Sequence, residues 1–225
     1  MTRLYVTGTD TGVGKTRVTA ALARAARDRG GACAIVKLVQ TGLAPGAPGD
    51  AEVAAELAGC AWHELARFEA PADPWSAALA ADREPLRAAR LAGLLGALPA
   101  PLVVEGSGGA AVPLNADESL SDVARIAGCE AILVVGLRLG CLNHALLTLE
   151  YLERRAIAVR GLVLCEAFGA TDQTYRRDVR RVLAPHAPVA PFIAFAPDGP
   201  SRIADDARCV AGLLARAGET SGAPR

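Results

Sequence analysis

The sequence predicts one α/β domain over residues 1–225, built in three layers with a mostly parallel sheet between helices. Three observations carry this. Strand-like and helix-like runs alternate from end to end. The strand cores Leu102-Val103-Val104, Ala131-Ile132-Leu133-Val134-Val135 and Leu162-Val163-Leu164 are apolar at every position, as strands covered on both faces must be. The first strand runs into a glycine-rich turn that opens an Ala-rich helix.

Strands are expected at 3–8, 33–38, 102–105, 130–136, 159–165 and 188–195. Helices are expected at about 14–29, 50–59, 85–98, 120–127, 143–155, 172–184 and 203–216. Residues 41–49 hold three Gly and two Pro and read as a loop, and 70–74 reads as a second irregular stretch. Residues 218–225 read as a frayed tail.

Composition narrows the function classes. Hydrophobic residues make up 52% of the 225, which suits a packed core. Lys plus Arg and Asp plus Glu are 24 each, so neither nucleic acid nor an anionic membrane is expected as the partner. The N-terminal run Arg3-Leu4-Tyr5-Val6-Thr7-Gly8 is strand-like and not a signal segment, and no apolar run reaches membrane length. The expected compartment is the cytoplasm. The six cysteines are scattered, with no C-x-x-C, and read as small buried hydrophobes in a reducing compartment.

Chemistry concentrates in residues 8–16, Gly8-Thr9-Asp10-Thr11-Gly12-Val13-Gly14-Lys15-Thr16. A strand before and a helix after are the setting of a phosphate-binding loop, and the fold is expected to be like that of the P-loop nucleoside triphosphatases. Gly12 and Gly14 let backbone N–H groups turn inward, and the helix start adds partial positive charge. Lys15 can reach the β- and γ-phosphates, and the Thr16 hydroxyl can ligate Mg²⁺. The match is a variant one, because Thr9 stands where the strict pattern has its first glycine and Gly8 lies one residue earlier. Glu105 ends an apolar strand before Gly106-Ser107-Gly108-Gly109 and is either a metal ligand beside Thr16 or a solvated strand end. Asp50 opens a helix, where an N-cap is the commoner role. Lys37 ends another strand, and either points to solvent or faces the phosphate of a neighbouring loop.

At this point the sequence resembles the dethiobiotin synthetases over most of its length. Four blocks carry the resemblance: 8–16; Lys37-Leu38-Val39-Gln40-Thr41-Gly42; Val104-Glu105-Gly106-Ser107-Gly108-Gly109; and Leu139-Gly140-Cys141-Leu142-Asn143-His144-Ala145-Leu146-Leu147-Thr148. The last is the most specific, since it is not a generic nucleotide-binding pattern. The resemblance implies ATP as co-substrate and Mg²⁺ as cofactor. It implies 7,8-diaminopelargonate and CO₂ as partners in a reaction that passes through a carbamate and a carbamic–phosphoric anhydride. Lys37, Lys15 and Thr11 would act on the reacting groups. Gly12, Val13, Gly14, Lys15, Thr16, Glu105, Gly108 and Cys165 would meet the nucleotide, and Thr16, Asp50 and Glu105 the metal. Thr41, Leu142, Asn143 and Tyr175 would meet the substrate. The family is homodimeric, and the fourth block would serve a substrate site at the subunit interface. An N-cap role is the alternative for Asn143.

The sequence also departs from the family pattern. Leu38 replaces a proline and Ser107 an alanine, and Asp73 and Trp75 change a Pro-x-Ser-Pro-His segment. Cys165 stands where many members carry an asparagine that reads adenine, and a thiol cannot offer the same donor and acceptor pair. Relaxed base choice is therefore expected. Two other readings compete. A partition-type ATPase would carry a lysine where Asp10 stands. A diverged synthetase would have exchanged its substrate.

Overall fold

A computed structural model of the chain describes residues 3–191, 193 and 200–214. Six strands form one sheet: β1 (Arg3–Gly8), β2 (Ala34–Lys37), β3 (Ala61–Glu64), β4 (Leu102–Gly109), β5 (Glu130–Gly136) and β6 (Val159–Cys165). Their order is β3-β2-β4-β1-β5-β6, and every ladder is parallel. The expected mostly parallel sheet is thus parallel throughout. Parallel neighbours need crossovers, and the helices that supply them cover both faces.

The helices are α1 (Lys15–Asp28), α2 (Asp50–Ala58), α3 (Pro74–Ala80), α4 (Ala88–Gly96), α5 (Leu120–Ile126), α6 (Cys141–Arg154), α7 (Gln173–Leu183) and α8 (Pro200–Val210). One face of the sheet meets α1, α2 and α8 through residues such as Val6, Val103, Val134, Leu22, Ala54 and Ile203. The other face turns Tyr5, Val36 and Val104 toward α4 and α5, with Leu133 and Leu164 toward α6 and α7. Alternate residues of one strand therefore enter different layers, which is why these strands are apolar at every position. Each fully buried aliphatic side chain contributes roughly 1.5–3 kcal/mol.

Two elements were not expected from the sequence. β3 is a four-residue edge strand whose Ala61 and Trp62 are exposed, so it lacks the apolar run of a central strand. α3 starts inside the stretch read as irregular, with Asp73 accepting the backbone N–H groups of Trp75 and Ser76 and Pro74 in the first turn. The expected strand at 188–195 is present only as single bridges from Leu162 to Val189 and from Cys165 to Ile193, and residues 192, 194 and 195 lie outside the described ones. The last expected helix appears earlier, as α8 and a short 3₁₀ turn at Ala211–Leu214. The expected tail at 218–225 lies outside the described residues.

Candidate active site

The carboxyl ends of β1, β2 and β4 open into a cleft of about 930 Å³. In open parallel sheets this edge collects ligands, because loops and helix starts converge there. Gly12 and Gly14 take positive φ angles of 72° and 100°, and Gly14 caps the start of α1. That conformation favours glycine and turns the loop around the helix N-terminus. Thr11, Gly12, Gly14, Lys15, Thr16, Lys37, Thr41, Asp50, Glu105 and Gly108 all line the cleft. Val13 does not, because its side chain is buried in the core.

Register explains how Glu105 meets Lys37, while Asp50 reaches it from the start of α2. β2 pairs with β4, and Lys37 lies directly beside Glu105. The strands next to Lys37 are therefore β3 and β4, and β4 separates it from the strand that feeds the phosphate loop. The Lys37 side chain is 3% exposed, which overturns the solvent-facing alternative. Its Nζ lies 2.8 Å from Glu105 Oε1 and 2.6 Å from Asp50 Oδ2, and it donates to the Gly106 carbonyl at 3.1 Å. Burial disfavours this ammonium, yet Glu105 and Asp50 outweigh it and hold its pKa above that of a free lysine.

Lys15 is electrostatically different. Its Nζ donates to the Asp10 carbonyl at 2.9 Å. Burial and then the nearby Lys37 charge lower its pKa to about 8, against the opposing pull of Glu105, Asp50 and Asp10. An anion arriving between the two lysines relieves this repulsion.

Glu105 is buried, which overturns the solvated-strand-end alternative. Its Oε1 accepts from Lys37 and, at 3.0 Å, from the Thr16 hydroxyl. Its Oε2 is buried and has no hydrogen-bond partner. Such an orphaned oxygen costs about 1–3 kcal/mol. Hard oxygen donors on Thr16, Asp50 and Glu105 suit Mg²⁺, which keeps several waters and is shared with substrate phosphates. Among the described residues no group of three or more His, Cys, Asp and Glu could hold a metal ion.

Asp50 is not the N-cap of α2; Gly49 is. The Asp50 N–H donates to Gln40 Oε1 at 2.9 Å, leaving its carboxylate for Lys37. Arg67 grips both oxygens of Glu64 at 2.7 and 2.8 Å and donates to the Ala47 carbonyl at 2.8 Å. A Cβ on Gly49 would lie 2.8 Å from Arg67 Nη2 and from Glu64 Oε2, so the loop closes against this pair only with glycine there. Gln40, Glu64 and Arg67 escaped the sequence reading, since Glu64 ends the unforeseen β3. Ser107, the family's usual alanine, donates to the Val39 carbonyl at 2.5 Å and pins the β4 end to the chain after β2.

A family described as an AAA domain matches residues 2–194. Among curated proteins, the chain is 45% identical over 170 residues to the ATP-dependent dethiobiotin synthetase BioD of Anaeromyxobacter sp. (strain K), covering 73% of this chain and 76% of that protein. It is 39% identical to the protein of that name from Streptomyces coelicolor, covering 87% of this chain and 84% of the relative. The chain belongs to the ATP-dependent dethiobiotin synthetase family. Among solved structures, the signal recognition particle receptor FtsY of Elizabethkingia anophelis superposes with a TM-score of 0.56 at 18% identity. That match covers 92% of this chain and 65% of the receptor. The FtsY of Thermotoga maritima gives 0.54 at 16% identity. At such identities the likeness is one of fold.

The remaining positions carried over from the family lie toward the β5 and β6 ends. α6 begins two residues earlier than expected, after Gly140 as N-cap. Leu142 and exposed Asn143 are thus in its first turn, and the N-cap alternative for Asn143 is overturned. Asp172 caps α7 by accepting the Tyr175 N–H at 2.9 Å. The Tyr175 hydroxyl donates to the Arg138 carbonyl at 2.6 Å and lies 3.3 Å from Cys141 Sγ, so it joins α7 to the loop before α6. None of these three residues lines the cleft of this single chain.

Cys165 does not line the cleft either. Its side chain is wholly buried among Val13, Val163, Ile193 and other core residues, and burial pushes its thiol pKa up. Its backbone is engaged too: the carbonyl accepts the Leu137 N–H at 2.8 Å. The expectation of a side chain at the base therefore gives way to one inside the core. Glu166, next in sequence, accepts from the Thr171 N–H and hydroxyl at 2.5 and 2.8 Å and from Arg176 at 3.0 Å. Asp73 lines the cleft while capping α3.

Proposed function

We propose that the chain forms dethiobiotin from 7,8-diaminopelargonate, CO₂ and ATP, as a step of biotin biosynthesis. The observation that carries this reading is the buried pair of Lys37 and Glu105, joined by the partly exposed Asp50, beside Thr16 and Lys15. It sets two cations, two carboxylates and a hydroxyl at one end of a parallel sheet.

One substrate amine adds to CO₂ and loses a proton, giving a carbamate. A carbamate oxygen then attacks the γ-phosphorus of ATP, and ADP leaves. The second amine attacks the carbonyl of the mixed anhydride, phosphate leaves, and the five-membered ring closes. Negative charge sits on oxygen at every stage. Lys37 stabilises the carbamate and the transferring phosphoryl group, since its carboxylate partners keep it charged. Lys15 holds the β- and γ-phosphates, exchanging the Asp10 carbonyl for them. Thr11 and Thr41, both in the cleft wall, orient the carbamate. Gly12, Val13, Gly14 and Gly108 offer backbone to the nucleotide. Thr16, Asp50 and Glu105 would hold Mg²⁺, which when bound offsets charge on the phosphates.

The working unit is a homodimer in this proposal. Leu139, Leu146 and Leu147 are 95%, 37% and 58% exposed beside Leu142 and Asn143, an apolar surface suited to a second copy. There the start of α6 would receive the substrate carboxylate, with Tyr175 close by. Among the described residues no helix is long and apolar enough to cross a membrane, and the cytoplasm is the proposed compartment. The test is turnover of 7,8-diaminopelargonate, bicarbonate, Mg²⁺ and ATP. Dethiobiotin, ADP and phosphate should appear in equal amounts. ATP hydrolysis without dethiobiotin would favour a partition-type ATPase or a changed substrate.

A further inference from the structure

The phosphate loop contains an acid. Asp10 stands within the segment that grips an anionic triphosphate, and an unpaired carboxylate there would repel its ligand. Its Oδ1 accepts the Thr11 N–H at 2.7 Å, and its backbone carbonyl accepts Lys15 Nζ at 2.9 Å. Its Oδ2 lies 2.6 Å from Arg138 Nη2. Arg138 arrives from the loop between β5 and α6, 128 residues along the chain. Two contacts aim it: its guanidinium sits over the Phe168 ring at 4.6 Å, and its carbonyl accepts the Tyr175 hydroxyl at 2.6 Å.

We propose that Arg138 is a positioning residue of the phosphate loop, which neutralises Asp10 so that the loop can take a nucleoside triphosphate. The inference rests on the nucleotide-binding part of the proposed function. Asp10 shapes the loop, because its carboxylate caps the Thr11 amide and its carbonyl parks the Lys15 ammonium. The charge that comes with that geometry is cancelled from outside the loop. The aiming contacts also join the phosphate loop to the segment proposed to meet the substrate tail. The Asp10 and Arg138 side chains are 44% and 42% exposed, so their pairing is screened by salt.

The test is binding of ATP and of ADP without diamine, by titration calorimetry at low salt. Arg138→Gln should weaken ATP roughly twofold to fivefold, and ADP by less, because the repelled charge is smaller. Adding Asp10→Asn to Arg138→Gln should restore ATP affinity, since no uncancelled acid remains. Arg138→Lys should keep most of it. Asp10→Asn alone should bind ATP at least as tightly as the wild type, which keeps the test open if Arg138→Gln folds poorly. ATP affinity unchanged in Arg138→Gln, or a double variant as weak as Arg138→Gln, would overturn the proposal, because a role in loop shape alone predicts no charge rescue. A wild type that binds nucleotide but forms no dethiobiotin would overturn the proposed function and leave this test readable.

Discussion

At the ends of β1, β2 and β4, the Lys37 and Glu105 side chains are buried against each other with Asp50 at the rim, and Glu105 Oε2 is left without a hydrogen-bond partner. At the ends of β5 and β6 the polar groups close on themselves: Glu166 on Thr171 and Arg176, Tyr175 on Arg138 and Cys141. The first region has an incomplete valence that the proposed nucleotide and cation would complete. The second has little left to offer a base through its side chains. In the proposed function, chemistry is therefore preorganised in one half of the sheet edge, and recognition in the other would rest on backbone and on surfaces that a second copy would cover.

The largest expected effect falls in the charged half. Lys37→Ala should lower turnover by on the order of 100-fold or more, the cost of losing one preorganised charge at a transition state. ATP binding should survive, because Lys15 and the loop amides are untouched. Lys15→Ala should lose both. A Lys37→Ala enzyme near wild-type rate would show that its carboxylate partners make it structural.

Glu105→Gln comes next. An amide keeps the shape but not the charge that would face the cation, so half-saturation by Mg²⁺ should rise on the order of tenfold or more. Asp50 still pairs Lys37 in this variant. A magnesium titration that superposes on the wild type would remove Glu105 from the metal site.

These two variants probe residues whose types were legible in the sequence but whose partnership was not. The glycines and Lys15 announce a phosphate loop by local order. Lys37 and Glu105 announce only strand ends, and their contact depends on β2 lying beside β4. That pairing is a long-range choice, with no local signal. The apolar strands were legible because two-sided burial leaves no polar positions. β3 was not, because a short edge strand with exposed Ala61 and Trp62 carries no such run. α3 did leave a signal, Asp73 followed by Pro74, an N-cap and a proline at the first helical position. It was masked by the prolines around it. The Asp10–Arg138 pair spans 128 residues and could only come from the fold.

A smaller effect separates the two lysines of the charged half. With its pKa lowered to about 8 by burial and by Lys37, Lys15 loses its proton in the free enzyme as pH rises past that value. Bound phosphate favours the charged form and raises the pKa again. ATP binding should therefore take up a proton above about pH 8, and affinity should fall there as pH rises. Lys37, held above the free-lysine value, should contribute nothing in that window. Calorimetry in buffers of different ionisation enthalpy reads the proton directly. Uptake unchanged in Lys15→Arg, whose guanidinium stays charged throughout this range, would assign it elsewhere.

The smallest effect tests the other half. The P-loop is blind to the base, and discrimination comes from buried polar groups that a wrong base leaves unpaired. Cys165 supplies no such group, being in the core, and the Glu166 carboxylate is occupied by Thr171 and Arg176. Turnover with CTP, GTP and UTP should thus stay within about tenfold of that with ATP. The core position also fixes what Cys165→Asn should do. It would place an amide among Val13, Val163 and Ile193, where an unpaired polar group costs about 1–3 kcal/mol. The variant should melt earlier than the wild type and show the same order of nucleotide preference. If instead it kept its melting temperature and gained preference for ATP, the amide would be reaching the base, and position 165 would belong to the nucleotide site after all. A wild type that turns over ATP alone would place base recognition in backbone groups beyond β6, and the contrast between the two halves would then be one of side chains only.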